Sequence, residues 1–170
     1  SYTQYFKDLN EELKKHGPFK PSMIVDLEKL DQNIKSLITN MNEGVNYRIV
    51  AKSLPSPELL GHIMKAAKTN RLMLFHQHFI NHMAEAFPKS DILLGKPMPA
   101  KSAQLFYDKF SNTSGFVPSI QLQWLIDTKH RLSQYHSLAQ KLNEKLRINI
   151  EIDVGLHRGG LKKPDELITI

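Results

Sequence analysis

Hydrophobic and polar residues repeat with two different periods along this chain, and together the two periods predict strands alternating with helices. Short apolar stretches rich in branched side chains predict β-strands at 46–52, 71–77, 91–97, 122–128 and 146–155. Apolar residues three and four positions apart predict amphipathic helices at 56–70, 78–88, 99–112 and 129–145. From residue 46 onward the pattern predicts five strand–helix units, of which the last only begins its helix, at 164–170.

The first 45 residues follow a different order. Residues 1–17 have the spacing of an amphipathic helix, which Gly17 and Pro18 are expected to stop. The stretch PSMIVDL, at 21–27, predicts a short apolar strand, and 26–41 predicts a second helix. Because this order differs from the regular alternation that follows, we treat 1–45 and 46–170 as separate regions of the chain.

Strands that alternate with helices predict an α/β fold with parallel strands and right-handed crossovers. Two architectures fit this alternation, a doubly wound open sheet and a (β/α)8 barrel of the TIM type. A barrel needs eight strands and at least about 200 residues. A barrel reading therefore implies that the 170 residues hold only the first five units and that the chain is a fragment with open sheet edges.

Composition narrows the classes of function. The chain is 41% hydrophobic and 24% charged, with no apolar run long enough to cross a membrane, so we expect no membrane partner. The absence of cysteine excludes disulfides, thiolate metal sites and cysteine nucleophiles, and it favours a reducing, cytoplasmic location. The net charge is +6, but the lysines are scattered, which favours a small anionic ligand over nucleic acid.

One lysine stands where parallel α/β proteins place their chemistry, at the carboxyl end of a strand. Lys52 ends the first predicted strand of the alternation and follows three apolar residues at 49–51. Desolvation by such neighbours favours the neutral amine, which is the form that attacks a carbonyl carbon to make a Schiff base. The alternative is a lysine that extends its charged end from the strand into water.

The last predicted strand ends in an unusual way, with the stretch EIDVGLHRGG at 151–160. Its order and that of the earlier motifs resemble the fold-type III pyridoxal-phosphate (PLP) enzymes, which include alanine racemase, D-threonine aldolase and D-serine dehydratase. The match is nearest to the aldolase/dehydratase branch. The residues that carry the resemblance are Pro21, Ile24, Val25, Asp26, Leu27, Leu30, Asn33, Arg48, Lys52, Ser56, Pro57, Glu151, Asp153, Gly155, Arg158 and Gly160.

The resemblance assigns roles to individual residues. It implies that Lys52 holds PLP as a Schiff base and acts as a base on one face of the substrate. Arg158 is expected to contact the cofactor near its phenolic oxygen, because a cation there favours the ionised form. Gly155 and the pair Gly159–Gly160 are expected to let the backbone turn sharply beside the flat ring. His157 has no assigned role and is interpreted as a loop histidine.

Other polar residues extend the expected site. Glu151 stands where alanine racemases have a lysine, so it favours the aldolase/dehydratase branch, and we count it among the cofactor-site residues. His76, at the end of the second strand of the alternation, is expected to face the mouth of the site. Asp127 has the equivalent position on the fourth strand and is interpreted as a helix cap or rim residue. His78 and His82 are four residues apart, and we interpret the histidines here as surface residues in preference to metal ligands.

The implied function is that of a PLP-dependent aldolase, dehydratase or racemase acting on D-amino acids or β-hydroxy amino acids, as a homodimer when full length. The resemblance places the second-face catalytic residue and a possible divalent metal in a C-terminal β domain that is absent here, to which 1–45 contributes, whereas 46–170 forms a partial PLP-binding barrel. We therefore expect the isolated chain to be inactive. Val50 and Ser53–Leu54 depart from the aldolase pattern, which leaves the reaction open.

The alternatives are a non-catalytic PLP-binding homeostasis protein with the same barrel and a protein unrelated to PLP.

Overall fold

The computed structural model describes residues 3–53, 56–111 and 113–168. Its strands are β1 (Ile49–Val50), β2 (Arg71–Leu74), β3 (Asp91–Leu94), β4 (Leu122–Ile126) and β5 (Arg147–Ile150). Its helices are α1 (Gln4–His16), α2 (Leu27–Thr39), α3 (Pro57–Ala66), α4 (Gln77–Ala86), α5 (Ala100–Lys109), α6 (Pro118–Gln121), α7 (Lys129–Leu142) and α8 (Pro164–Ile168).

The five strands form one parallel sheet in the order β1-β2-β3-β4-β5. Each connection therefore advances by one strand in the same direction, and right-handed crossovers then place all the connecting helices on the same face. A doubly wound sheet reverses its strand order and has helices on both faces. The topology thus confirms the partial (β/α)8 barrel and excludes the doubly wound alternative.

The hydrophobic core lies between the sheet and its helices. Alternate strand residues are almost fully buried, namely Leu72, Leu74, Ile92, Leu94, Leu122, Trp124 and Ile126. Four aromatic side chains, those of Phe106, Phe116, Trp124 and Tyr135, are among the largest buried groups. Because strand side chains alternate between the two faces, the intervening residues are left on the opposite face, which would be the inside of the barrel.

Polar side chains cross that inner face in one hydrogen-bonded row, which we call the inner-face row. The Arg48 guanidinium passes β2, where it donates to the Leu72 carbonyl oxygen at 2.9 Å, and pairs with the Asp91 carboxylate at 2.6 Å. Gln123 donates to the same Asp91 oxygen at 2.8 Å and accepts from Asn149 at 3.1 Å. The row connects β1 to β5 and is therefore expected to hold the short strand β1 in register with the rest of the sheet.

Side-chain caps explain where several helices begin. Ser56, the predicted N-cap of α3, accepts a hydrogen bond from the Leu59 N–H at 3.2 Å. Thr128 accepts from the Arg131 N–H in the same way at the start of α7. That helix ends at Asn143, which has the left-handed conformation (φ 52°) that asparagine tolerates better than most residues.

Some expectations about elements were wrong. Residues 21–26 pair with no strand of the described chain, and Leu27 begins α2. Met23, Ile24 and Val25 are exposed. The strand predicted at 46–52 is paired only at β1. The four-residue helix α6 was not predicted, because so short an element shows no period. Leu54, Asn112 and the last two residues of the predicted C-terminal helix lie outside the described residues.

The N-terminal helices attach to this layer through surface contacts. The Tyr5 hydroxyl donates to the Asp26 carboxylate at 2.7 Å, and the Lys29 ammonium lies 3.8 Å from the centre of the Tyr5 ring. His62 of α3 pairs with Asp31 of α2 at 2.6 Å. Neither α1 nor α2 contributes a buried residue to the core. Within the ranges described, no helix is long and apolar enough to span a membrane.

Candidate active site at the carboxyl edge of the sheet

The carboxyl ends of all five strands meet at one edge of the sheet, because the strands are parallel. Lys52 follows β1 at this edge, Phe75 and His76 follow β2, and Gly95 follows β3. This is the edge at which parallel α/β proteins bind ligands. The structure thus brings the first two predicted site residues, Lys52 and His76, to neighbouring strand ends.

The Lys52 amine is exposed and lies beside an aromatic ring. Its Nζ is 5.5 Å from the centre of the Phe75 ring, and it forms no hydrogen bond or ion pair within the described part of the chain. Of the two alternatives for Lys52, the structure agrees with a lysine that extends from the end of the strand, since Val50 and Lys52 are both exposed. The amine is accessible to an incoming carbonyl compound.

Gly95 makes the position of Phe75 possible. A Cβ atom at Gly95 would lie 2.6 Å from two carbon atoms of the Phe75 ring and 2.7 Å from the Met73 sulfur. These distances are far shorter than a van der Waals contact, so any side chain at this position would push the ring away. The ring therefore lies over Gly95 and forms a flat wall next to Lys52.

A cavity of about 340 Å³ opens on the other side of this wall, and we call it the β2–β3 cavity. It is lined by Phe75, His76, Gln77, His78, Lys96, Pro97, Met98, Pro99, Ser102 and Leu105. His76 precedes the first residue of α4 but makes no side-chain capping bond there. That His76 faces the mouth of a cofactor site stays a prediction.

The loop between β3 and α5 is held from behind by α7. Arg131 donates to the Met98 carbonyl oxygen at 2.9 Å, and the Tyr135 hydroxyl donates to the same oxygen at 2.9 Å. Arg131 is itself held by Asp127 at 2.7 Å, and burial raises the pKa of Tyr135 above its ordinary value. Asp127 is therefore a rim residue that orients Arg131, whereas Thr128 is the cap.

An aspartate–histidine pair organises the loop that follows β5. Asp153 accepts hydrogen bonds at 3.0 Å from the His157 backbone N–H and from its ring Nδ1. The carboxylate is only 4% exposed, whereas the imidazole is 80% exposed. The hydrogen bond from the His157 side chain, with smaller help from the backbone, lowers the pKa of Asp153 below its ordinary value. The sequence left His157 without a role, and the structure pairs it with Asp153.

Replacing Asp153 with asparagine should make the free energy of unfolding change less as the pH falls from 7 to 3. Because the folded-state pKa of Asp153 lies below its ordinary value of 3.8, its contribution is present above that value and is lost as the pH falls through the folded pKa. Urea unfolding should therefore show the variant less stable at pH 7, with a difference that shrinks toward pH 3. Asp108→Asn, which removes an exposed carboxylate, is the control and should show no such trend. A stability difference between Asp153→Asn and the wild type that stays the same from pH 7 to pH 3 would contradict the pairing.

The turn glycine of this loop is Gly160. It has a φ of 93°, and a Cβ there would lie 2.7 Å from the Glu151 carbonyl oxygen. Gly155 has an ordinary φ and open space around it, so the expected sharp turn was wrong for this residue. Glu151 is half-buried, and its side chain lies along Gly159 and Gly160.

Arg158 is exposed at the opposite end of the sheet edge from Lys52. Its guanidinium has no hydrogen bond or ion pair with the residues that the structure describes. It is therefore accessible to an anionic oxygen, but the structure does not bring it into contact with Lys52. Nor do the described histidines, aspartates and glutamates form a group of three or more that could hold a metal ion.

The sequence was compared with models of known protein families. The family described as "Alanine racemase, N-terminal domain" matches residues 25–170. The chain belongs to this family. No curated protein matches the chain.

Alanine racemase N-terminal domains are PLP-binding TIM barrels, so the match confirms both the fold-type III resemblance and the partial barrel. The aldolase/dehydratase branch stays a prediction. In this member of the family, sequence reasoning missed Phe75 as a neighbour of Lys52. Its signal was the alternation of β2, since Phe75 falls two residues after the half-buried Met73 and so shares its face. The Asp153–His157 pair had a signal in its spacing, four residues with Gly155 between them.

Proposed function

We propose that this protein is a PLP-dependent enzyme that binds its cofactor covalently through Lys52 and acts on D-amino acids or β-hydroxy amino acids. The observation that carries the proposal is the Lys52 amine, exposed and without an ion partner in the described chain, at the carboxyl edge of an alanine racemase N-terminal barrel. Family membership supports PLP as the cofactor. The position of the amine supports Lys52 as its attachment point.

The residues present fit such a cofactor. The Nζ of Lys52 is accessible for bonding to an aldehyde carbon, whose oxygen then leaves as water. PLP, when bound, withdraws electrons from the α-carbon of an amino acid. The Lys52 Nζ, when it is not bonded to the cofactor, would accept or return the proton of that α-carbon.

Two further residues support the assignment. The Phe75 ring is a flat apolar surface whose centre lies 5.5 Å from Nζ, beside the place proposed for the flat cofactor ring. The exposed Arg158 guanidinium supplies a cation for an anionic oxygen of the cofactor. Glu151, Gly155 and His76 remain proposed members of the cofactor site through the resemblance.

The reaction class follows from Glu151 in this proposal. Alanine racemases have a lysine at the corresponding place of the motif, whereas the aldolase and dehydratase branch has a glutamate. We therefore infer a carbon–carbon or carbon–oxygen cleavage at the β-carbon in preference to racemisation. By the same resemblance we infer a homodimer, and the cysteine-free composition supports a reducing, cytoplasmic location.

Covalent PLP attachment is the direct test. Wild-type protein mixed with PLP should become yellow, and borohydride should bleach it while fixing one PLP to the peptide that contains Lys52, as read by mass spectrometry. Lys52→Ala and Lys52→Arg should take up no fixed PLP, since neither leaves a primary amine at this position. Lys89→Ala removes an exposed lysine elsewhere and should behave like the wild type.

A wild type that stays colourless with PLP would contradict the proposal. So would a Lys52→Ala variant that fixes as much PLP as the wild type. A full-length protein that fixes PLP at Lys52 but leaves every amino acid unchanged would be a carrier and not an enzyme. A screen of D-amino acids and β-hydroxy amino acids, with and without a divalent metal, therefore decides between these two and identifies the reaction.

A further inference from the structure

The β2–β3 cavity lies next to Lys52 but does not include it. Phe75 lines the cavity, and its ring lies 5.5 Å from the Lys52 Nζ; His76, a proposed member of the cofactor site, lines the cavity as well. Only the Phe75 ring therefore separates a molecule bound at Lys52 from the cavity. The cavity is about 340 Å³ in volume, which suits a short side chain and not a large ligand.

The ionisable side chains that line the cavity are all basic. Lys96, His76 and His78 line it, and no aspartate or glutamate does so among the residues described. None of these three side chains has a hydrogen bond or an ion pair with the described chain. Asp127, which follows the neighbouring strand β4, is already paired with Arg131. The lining is thus suited to an anion and offers it no competing carboxylate.

Besides the polar residues Gln77 and Ser102, the rest of the lining is apolar, and the loop that carries part of it is held in place. Met98, Leu105 and two prolines at 97 and 99 provide an apolar floor. The Met98 carbonyl oxygen accepts hydrogen bonds from Arg131 and Tyr135, which anchor the loop that carries Lys96. Gly95 at the start of the same loop keeps the Phe75 ring in its position. The cavity is therefore anchored at Met98 and combines apolar side chains with basic ones.

We propose that the β2–β3 cavity binds a second acidic group of the substrate, a carboxylate at the end of a short aliphatic chain. The substrate class is then an acidic amino acid, whose amino end is handled at Lys52 and whose distal carboxylate is bound by Lys96 and His76. This assignment of the substrate rests on the proposed function, but the anion site itself does not require the cofactor.

Binding of succinate to the protein without PLP tests the site directly. NMR titration should show succinate shifting the amide signals around Phe75, Lys96 and Met98, whereas the uncharged succinamide should not. Lys96→Ala and His76→Asn should each weaken succinate binding about tenfold, since each removes a donor to the anion. Lys101→Ala removes the same charge from an exposed position outside the cavity and should bind succinate like the wild type.

Equal succinate affinities for the wild type and Lys96→Ala would overturn the proposal. An equal loss of succinate affinity in Lys96→Ala and Lys101→Ala would also overturn it, because binding would then depend only on the overall charge of the protein. Protein with PLP fixed at Lys52 by borohydride should bind succinate within about twofold of the unloaded protein. Loss of succinate binding on loading would mean that the cofactor phosphate takes the cavity, and it would also overturn the proposal. If no PLP attaches but succinate binding depends on Lys96, the proposed cofactor fails and the anion site remains.

Discussion

Replacing Trp124 with alanine should lower the free energy of unfolding by about 3–5 kcal/mol. The side chain is 1% exposed in the middle of β4 and packs edge-on against Phe106, with ring centres 6.0 Å apart. It also lies 5.7 Å from the ring of Tyr135. The indole N–H donates to the Tyr107 hydroxyl at 3.1 Å, and burial raises the pKa of that hydroxyl to about 12. The variant therefore loses packing and leaves a cavity between the sheet and its helices.

The measurement is urea unfolding followed by circular dichroism, because Trp124 is the single tryptophan and its fluorescence disappears with it. Ile120→Ala, at a 65% exposed position just before β4, should change the stability by less than about 0.5 kcal/mol. Trp124→Phe should fall between the two, since it keeps an aromatic ring but not the indole N–H. A Trp124→Ala value close to that of Ile120→Ala would mean that the sheet and helices do not share this core.

Replacing Arg48 with methionine should cost about 2–3 kcal/mol of stability and displace β1. The guanidinium donates to the carbonyl oxygens of Leu72 and Asp91, both at 2.9 Å, and pairs with the Asp91 carboxylate. Strand β1 has only two paired residues, so these three bonds are a large share of what attaches it. Methionine keeps the length of the side chain but donates no hydrogen bond.

A double-mutant cycle with Asp91→Ala separates the pair from the rest of the change. The coupling energy should exceed about 1 kcal/mol, because the two side chains are only 18% and 28% exposed. Arg71→Met is the matched control, since the Arg71 side chain starts β2 but has no hydrogen bond within the described chain. If Arg71→Met destabilises as much as Arg48→Met, the inner-face row does not hold β1. Binding of PLP to Arg48→Met should also weaken, because Lys52 follows this strand directly.

The alternation of apolar and polar residues was sufficient for the order of the elements. Four strands and the main helices were predicted close to their positions, because each strand buries alternate residues such as Leu72 and Leu74 against helices. The segment at 21–27 shows the limit of the method. Its apolar residues satisfy a strand pattern, but a strand also needs a neighbour to supply hydrogen bonds, and the described chain supplies none.

The candidate site also has features that the sequence predicts and features that depend on tertiary packing. The position of Lys52 at a strand end was readable from the residues before it, because the carboxyl edge of a parallel sheet is defined by chain direction alone. Phe75 was not predicted, since its contact with Lys52 depends on the space that Gly95 leaves on a third strand. The sequence left open whether Lys52 is shielded or exposed, because burial depends on what packs around a residue and not on its neighbours in sequence.

The sequence by itself determined the strand–helix alternation, the lysine at the end of β1 and the motif that follows β5, because these depend on local periodicity and on residue order. Only the tertiary structure decided between a barrel and a doubly wound sheet, since the strand order results from how distant segments pair. The tertiary structure also joined Arg48 to Asp91 across β2 and placed Lys96 and His76 around one cavity. These residues lie 43 and 20 positions apart, and only the parallel register of neighbouring strands brings them together.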